Sequence, residues 1–218
     1  MKKIILTGST STSAQALIEL IRPMGLKILT AGRSGNHDFK VDFSKRDETT
    51  KFCEFLLKEA PDYAFIHHGV LPGQRLQTYS DELISSVLQT NLVSILQILE
   101  TIQTLPLLKT VITSSISGSL GSYDTLYAAS KAGLDVAIRS IAKQIPPTSR
   151  LNGIAPGIIA DSKMTLARQD LKLLESKREK TPTQMLTTAM DVAKLAKYVL
   201  FESENMNGQI LHLNGGLT

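Results

Sequence analysis

Short runs rich in leucine and β-branched residues alternate with longer helical patterns along the whole 218-residue chain. The strand candidates are Lys3–Leu6, Lys27–Thr30, Asp38–Val41, Tyr63–His67, Thr110–Thr113, Leu151–Ile154 and Ile210–Leu213. Each is short, apolar and bounded by turn-forming residues. Between most of them lie helical stretches. Ala14, Leu17, Ile18 and Ile21 hold the i, i+3, i+4, i+7 spacing, and Pro23 and Gly25 end that helix. Further helices are expected over about Lys45–Glu59, Ser80–Thr104, Thr125–Gln144 and Asp191–Leu200. Strand–helix alternation favours parallel pairing, because each crossover returns the chain to the same end of the sheet. Right-handed crossovers then make the expected fold α/β, a doubly wound parallel sheet in a single domain over 1–218. Gly157–Thr188 is the one long, polar, weakly patterned stretch, and is read as a substrate loop.

Composition removes several classes of function. Apolar residues make up 42% of the chain and charged residues 20%, with a net charge of +4 and no dense Lys/Arg run. No nucleic-acid partner is expected from that balance. Cys53 is the only cysteine, so an intramolecular disulfide is excluded and a reducing compartment fits. It reads as a small core residue on a helix. Lys2-Lys3 followed by Ile4-Ile5-Leu6 is too short for a signal peptide, and no segment approaches the length of a membrane span. The expectation is a cytoplasmic protein without a membrane partner.

After the first strand the chain reads TGSTSTSA. A phosphate-binding turn in this place ordinarily uses three glycines: for the tight turn, for backbone approach to pyrophosphate, and for helix–sheet packing. Gly8 can make the turn, while Thr12 and Ala14 stand at the other two places. Ser9, Thr10, Ser11 and Thr12 offer hydroxyls, and the following helix presents free N–H groups. On these residues alone, a phosphate loop and a serine-rich turn with an N-cap remain equal readings.

The stretch VITSSISGSLGSYDTLYAASKAGL decides between them. Tyr127 and Lys131 are four apart on an expected helix, so both side chains lie on one face. An ammonium beside a phenol lowers the phenol's pKa, and such a tyrosine can pass a proton to or from a substrate oxygen. The pair follows a strand ending in Ser114-Ser115, at the sheet edge where open α/β folds bind ligands.

With these motifs in the right order, the chain resembles the short-chain dehydrogenase/reductase family from end to end. YAASK resembles that family's catalytic tyrosine–lysine helix, and Ser115, followed three residues later by Gly118, its catalytic serine. Asn91 in TNLVS resembles its structural and proton-relay asparagine. NGIAPG and GQILHLNGG resemble the nicotinamide-facing segment after the sixth strand and the closing strand. The resemblance implies a Rossmann-like fold and catalytic residues Asn91, Ser115, Tyr127 and Lys131. It also implies a dinucleotide held by Gly8, Ser9, Thr10, Ser11 and Thr12, with Asp42 and Phe43 near adenine. Gly69, Tyr127, Lys131, Pro156, Gly157 and Ile159 would line the path to the nicotinamide.

The chain departs from that pattern in several places. His67-His68 stand where an Asn-Asn turn is usual; adjacent strand residues face opposite ways and no third ligand is evident, so no metal is expected. Asp161 replaces a usual threonine. Only eight residues separate Arg33 from Asp42, too few for a crossover helix, as in a compact subgroup of the family. Gly32 stands where NAD-preferring chains carry an acid, while Arg33 and Ser34 can bond a 2′-phosphate. The expected cofactor is NADP(H) and the expected substrate a small ketone or secondary alcohol. A regulatory or scaffold protein that binds the dinucleotide without turnover is the alternative. A sugar-nucleotide epimerase is disfavoured for want of a further substrate domain. Apolar residues beyond one stripe on Ser80–Thr104 and Thr125–Gln144, where family members often associate, lead to an expected homodimer or homotetramer.

Overall fold

The computed structural model of the chain describes residues 1–166 and 171–217. In order, its elements are β1 (Lys3–Thr7), α1 (Thr12–Ile21), β2 (Lys27–Gly32), β3 (Phe39–Lys40), α2 (Arg46–Glu59) and β4 (Tyr63–Ile66). Next come α3 (Asp81–Leu88), α4 (Ser94–Ile102), β5 (Lys109–Thr113), α5 (Ser117–Leu120), α6 (Thr125–Ile141) and β6 (Arg150–Pro156). The chain continues with α7 (Lys163–Leu166), α8 (Leu171–Lys180), α9 (Ala189–Lys197) and β7 (Ile210–Leu213). The strands form one sheet in the order β3-β2-β1-β4-β5-β6-β7, with every pairing parallel. The direction of winding reverses between β1 and β4. That is the switch point outside which ligands of such sheets bind.

Alternate residues of each strand feed two cores, because successive side chains point to opposite faces. Ile4, Leu6, Phe65, Val111 and Ile154 meet α1 and α9 through Leu17, Ile21, Val192 and Ala196. Ile5, Ile66, Ile112 and Leu151 meet α2, α4 and α6 through Phe52, Ile98, Leu134 and Ile138. Cys53 sits half-buried against the second core, as the sequence implies.

Two expectations gain detail and two need correction. The helix expected over Ser80–Thr104 runs over Asp81–Ile102, with a π turn at Gln89–Val93 joining α3 to α4. The last expected helix likewise ends in a π turn, at Tyr198–Glu202. The stretch Gly157–Thr188 is not a plain loop, for it holds α7 and α8 and is tied across its base by a bridge between Ile159 and Thr187. The statement that no segment approaches a membrane span also fails on length and composition, since Asp81–Ile102 is a 22-residue apolar helical run. Ile95, Ile98, Leu99 and Ile102 of that run are wholly buried in the sheet-facing core.

The trimmed link between β2 and β3 works because β3 pairs only with the last two residues of β2, Ala31 with Phe39 and Gly32 with Lys40. The chain therefore backs up by only two residues. Asp38 lies outside the strand that was expected to include it; its carboxylate accepts from the Thr30 N–H and hydroxyl, both at 2.9 Å.

Candidate active site

The carboxyl ends of β1, β4, β5 and β6 bring the candidate residues to one edge of the sheet. Helix α6 is aimed at this edge by its N-cap. Asp124 is fully buried, and its carboxylate accepts from the Tyr127 N–H at 2.9 Å. The same carboxylate accepts from the Tyr79 hydroxyl at 2.7 Å and the Gly73 N–H at 2.8 Å. One side chain thus ties the segment after β4 to the first turn of the helix that carries Tyr127 and Lys131.

Lys131 is buried, and its ammonium donates to the Thr113 carbonyl at 2.9 Å. Burial lowers its pKa to about 8, with the Asp135 carboxylate one turn away opposing the shift. The ammonium lies 5.8 Å from the centre of the Tyr127 ring. Burial raises the Tyr127 pKa, and Asp124 adds to the rise while a hydrogen bond with Ser115 opposes it. The shift is upward, opposite to the direction expected from a neighbouring ammonium, because burial outweighs the Ser115 hydrogen bond.

Asn91 lies within the π turn, whose extra residue changes where side chains on that turn point. It is wholly buried, accepts from the Val70 N–H and donates to the Val70 carbonyl, each at 2.8 Å, and donates to Ser130 at 3.2 Å. A Cβ on Gly69 would stand 3.4 Å from Asn91 Oδ1 and 3.6 Å from Lys131 Nζ. Gly69 thus lies against both Asn91 and Lys131. Ser115, at the mouth of β5, completes a cluster of Asn91, Ser115, Tyr127 and Lys131.

His67 and His68 are integral to the switch point. Nδ1 of His67 lies 2.7 Å from the Thr113 hydroxyl; His68 lies between the Thr7 hydroxyl, 2.8 Å from Nδ1, and the Ser94 hydroxyl, 3.0 Å from Nε2. Phe43 stacks on His68 with ring centres 3.7 Å apart and is buried in the core, so it packs under the site. Among the described residues there is no cluster of three His, Cys, Asp or Glu side chains able to hold a metal.

At the phosphate loop, Gly8 has φ +60°, and a Cβ there would meet the His67 carbonyl oxygen at 2.8 Å. Only glycine fits this turn against β4. Ser11 caps α1 by accepting from the Ala14 N–H at 3.1 Å; Thr12 opens the helix, and Thr10 is exposed. Buried Ser9 faces His37 at 3.1 Å. Arg33 and Ser34 are exposed on the link after β2, and Arg33 lies 3.7 Å from the Asp42 carboxylate. Burial of Asp42 favours its neutral acid, but bonds from the Ser44 hydroxyl and N–H together with Arg33 outweigh it and hold its pKa below the ordinary value. Pro156 ends β6 and Gly157 donates to the Leu213 carbonyl at 2.9 Å, while Ile159 is turned into the core beside α1 and α9. Asp161 accepts from the Ala189 N–H at 2.8 Å. The sequence reading had missed Asp124, Thr113 and His37. Asp124 alone had a local signal, as an N-cap residue three ahead of Tyr127.

A parallel sheet with a switch point, a helix N-terminus at its first turn and a tyrosine–lysine–serine cluster at its carboxyl edge defines a nucleotide-dependent oxidoreductase class. The model of a family described as enoyl-(acyl carrier protein) reductase matches residues 24–218. The chain belongs to the short-chain dehydrogenase/reductase family of oxidoreductases. It is 32% identical over 187 residues to the 3-oxoacyl-[acyl-carrier-protein] reductase FabG of Chlamydia muridarum, covering 81% of this chain and 74% of that one. With the corresponding protein of Buchnera aphidicola the identity is 27% over 203 residues, covering 88% and 82%. In structure it is similar to a short chain dehydrogenase family protein from Francisella tularensis, with a TM-score of 0.87 at 18% identity over 99% of this chain and 98% of that one.

Proposed function

We propose that the chain is an NADP(H)-dependent oxidoreductase acting between a ketone and a secondary alcohol. The carrying observation is the buried Lys131, fixed to the Thr113 carbonyl, with Tyr127, Ser115, Asn91 and Gly69 beside it. The Gly8 turn and the first N–H groups of α1 suit the pyrophosphate of a dinucleotide. When bound, its nicotinamide would supply or accept the hydride.

In the reducing direction Tyr127 gives its proton to the carbonyl oxygen as charge develops there, and the Ser115 hydroxyl donates to the same oxygen. Burial keeps the proton on Tyr127 until it is given up, and the Ser115 hydrogen bond, which opposes the rise in its pKa, favours the release. Lys131 holds the nicotinamide ribose. Asn91 fixes the chain at Val70 and leaves an Oδ1 lone pair for a water that relays protons toward Lys131. Gly8 to Thr12 would cradle the pyrophosphate, Arg33 and Ser34 would take the 2′-phosphate, and Asp42 would face the adenine. Gly69, Pro156 and Gly157 border the nicotinamide end.

The names of the relatives support 3-oxoacyl thioesters as the first substrates to try. Exposed Leu96 on α4 and Val136 on α6, 40% and 60% accessible, support association of two or four copies through these helices. A cytoplasmic site of action follows from the same reading. The test is oxidation of NADPH and of NADH by the purified chain with 3-oxoacyl thioesters and simple ketones, with mass by light scattering. Turnover faster with NADPH supports the reading. Binding of NADPH without turnover of any carbonyl would favour the regulatory alternative.

A further inference from the structure

His37 belongs to none of the motifs above, yet its ring fills the space that a side chain at Gly32 would enter. A Cβ on Gly32 would lie 2.8 Å from His37 Nε2 and 3.2 Å from its Cε1. The ring also covers Gly35, whose φ of +109° turns the chain back beneath it and whose Cβ position is 3.5 Å from Nε2. Nε2 is 2.9 Å from the Ser34 carbonyl oxygen, and Nδ1 is 3.1 Å from the Ser9 hydroxyl. A carbonyl can only accept, so Nε2 carries the hydrogen and Nδ1 takes that of Ser9. The imidazole therefore joins the phosphate loop after β1 to the link after β2.

The acidic groups on these segments are otherwise engaged. Asp38 is taken by Thr30, and Asp42 by Ser44 and Arg33. An acid at the end of β2 would accept from the ribose hydroxyls of NAD. Here a ring donor occupies that space instead.

Resting on the cofactor reading above, we propose that His37 is a specificity-determining residue whose Nε2–H, together with Arg33, receives the phosphate on the adenosine ribose 2′-oxygen. The exchange is favourable because a phosphate oxygen is a stronger acceptor than the neutral Ser34 carbonyl. Ser34 is exposed, so the released carbonyl can bond to water. The same ring leaves no carboxylate at Gly32 to select the 2′-hydroxyl of NAD.

Calorimetry with adenosine 2′,5′-bisphosphate and with adenosine 5′-monophosphate isolates this contact from turnover. For the parent, the bisphosphate should bind the tighter. His37→Ala should weaken the bisphosphate by about tenfold or more, the scale of a hydrogen bond to a charged group, and change the monophosphate by less than about twofold. Equal weakening of both ligands, or no change in either, would overturn the proposal in favour of a loop-ordering role. If the alanine variant melts early, His37→Phe, which keeps a ring over Gly32 but carries no donor, is read by the same ratio and should still lose discrimination. Arg33→Ala separates the two readings. Loss of discrimination there but not at His37 would sink this inference and leave the NADP(H) reading standing. A parent with no preference for the bisphosphate would sink both.

Discussion

Replacing His68 with asparagine should flatten the acid limb of the stability profile. The His68 ring is buried between two hydroxyls whose hydrogens have fixed destinations. Ser94 donates its hydrogen to the Thr90 carbonyl at 2.8 Å, so it can only accept from His68 Nε2–H. Nδ1 then accepts from the Thr7 hydroxyl, whose oxygen already receives the His67 N–H at 3.0 Å. The neutral ring satisfies every partner, whereas a proton on Nδ1 would face the Thr7 hydrogen. Burial first, then Lys131 and His67, lower its pKa from 6.5 to about 3. A depressed histidine leaves the unfolded chain binding more protons, so stability is full above 6.5 and is lost as pH falls toward 3. The slope is about 1.4 kcal/mol per pH unit, or about 2 kcal/mol between about pH 7 and pH 5. His67, lowered to about 4 by the same cause, acts in the same direction but is present in both proteins. Urea titrations of parent and His68→Asn across that range give the result directly. The variant starts lower, having lost the Phe43 stack, and should lose about 2 kcal/mol less on acidification. Parallel losses in the two proteins would refute the buried-neutral assignment.

Other changes probe the remaining parts of the site. Gly8→Ala should cost at least about 2 kcal/mol of unfolding free energy, because it forces a side chain into left-handed backbone and against the His67 carbonyl; an unchanged urea midpoint would contradict that geometry. Asp124→Ala removes the α6 cap and orphans the Tyr79 and Gly73 donors, for an expected loss of about 3 kcal/mol in the same assay. Lys131 has its pKa lowered from 10.5 to about 8, so the unfolded chain holds the extra proton between these values and stability should rise across that window. Lys131→Met should remove that rise, which alkaline thermal melts would detect.

How much of this was readable beforehand depends on whether a feature is local. The strands were legible because β-branched runs bounded by turns have few other uses, and the tyrosine–lysine pair because four-residue spacing fixes a shared helix face. The π turn at Asn91 was not, since one inserted residue barely disturbs an apolar helical pattern. Helix α8 reads LKLLESKREK, too charged to show an apolar stripe, and so its region looked like a loop. The direction of the Tyr127 pKa shift could not be read from its neighbour alone, because burial, set by the whole sheet edge, is its largest cause. His37 gave no signal because its partners, Ser9 and the backbone of Ser34, meet it only once β1 and β2 are paired.

The most direct test of the account is single-turnover reduction of a carbonyl substrate by the parent and by Tyr127→Phe, with NADPH binding measured on both. The phenylalanine keeps the ring and removes only the transferable proton. The account predicts NADPH affinity within about twofold of the parent and a rate lower by about a hundredfold or more. A variant that binds NADPH and reduces the carbonyl at near the parent rate would contradict it.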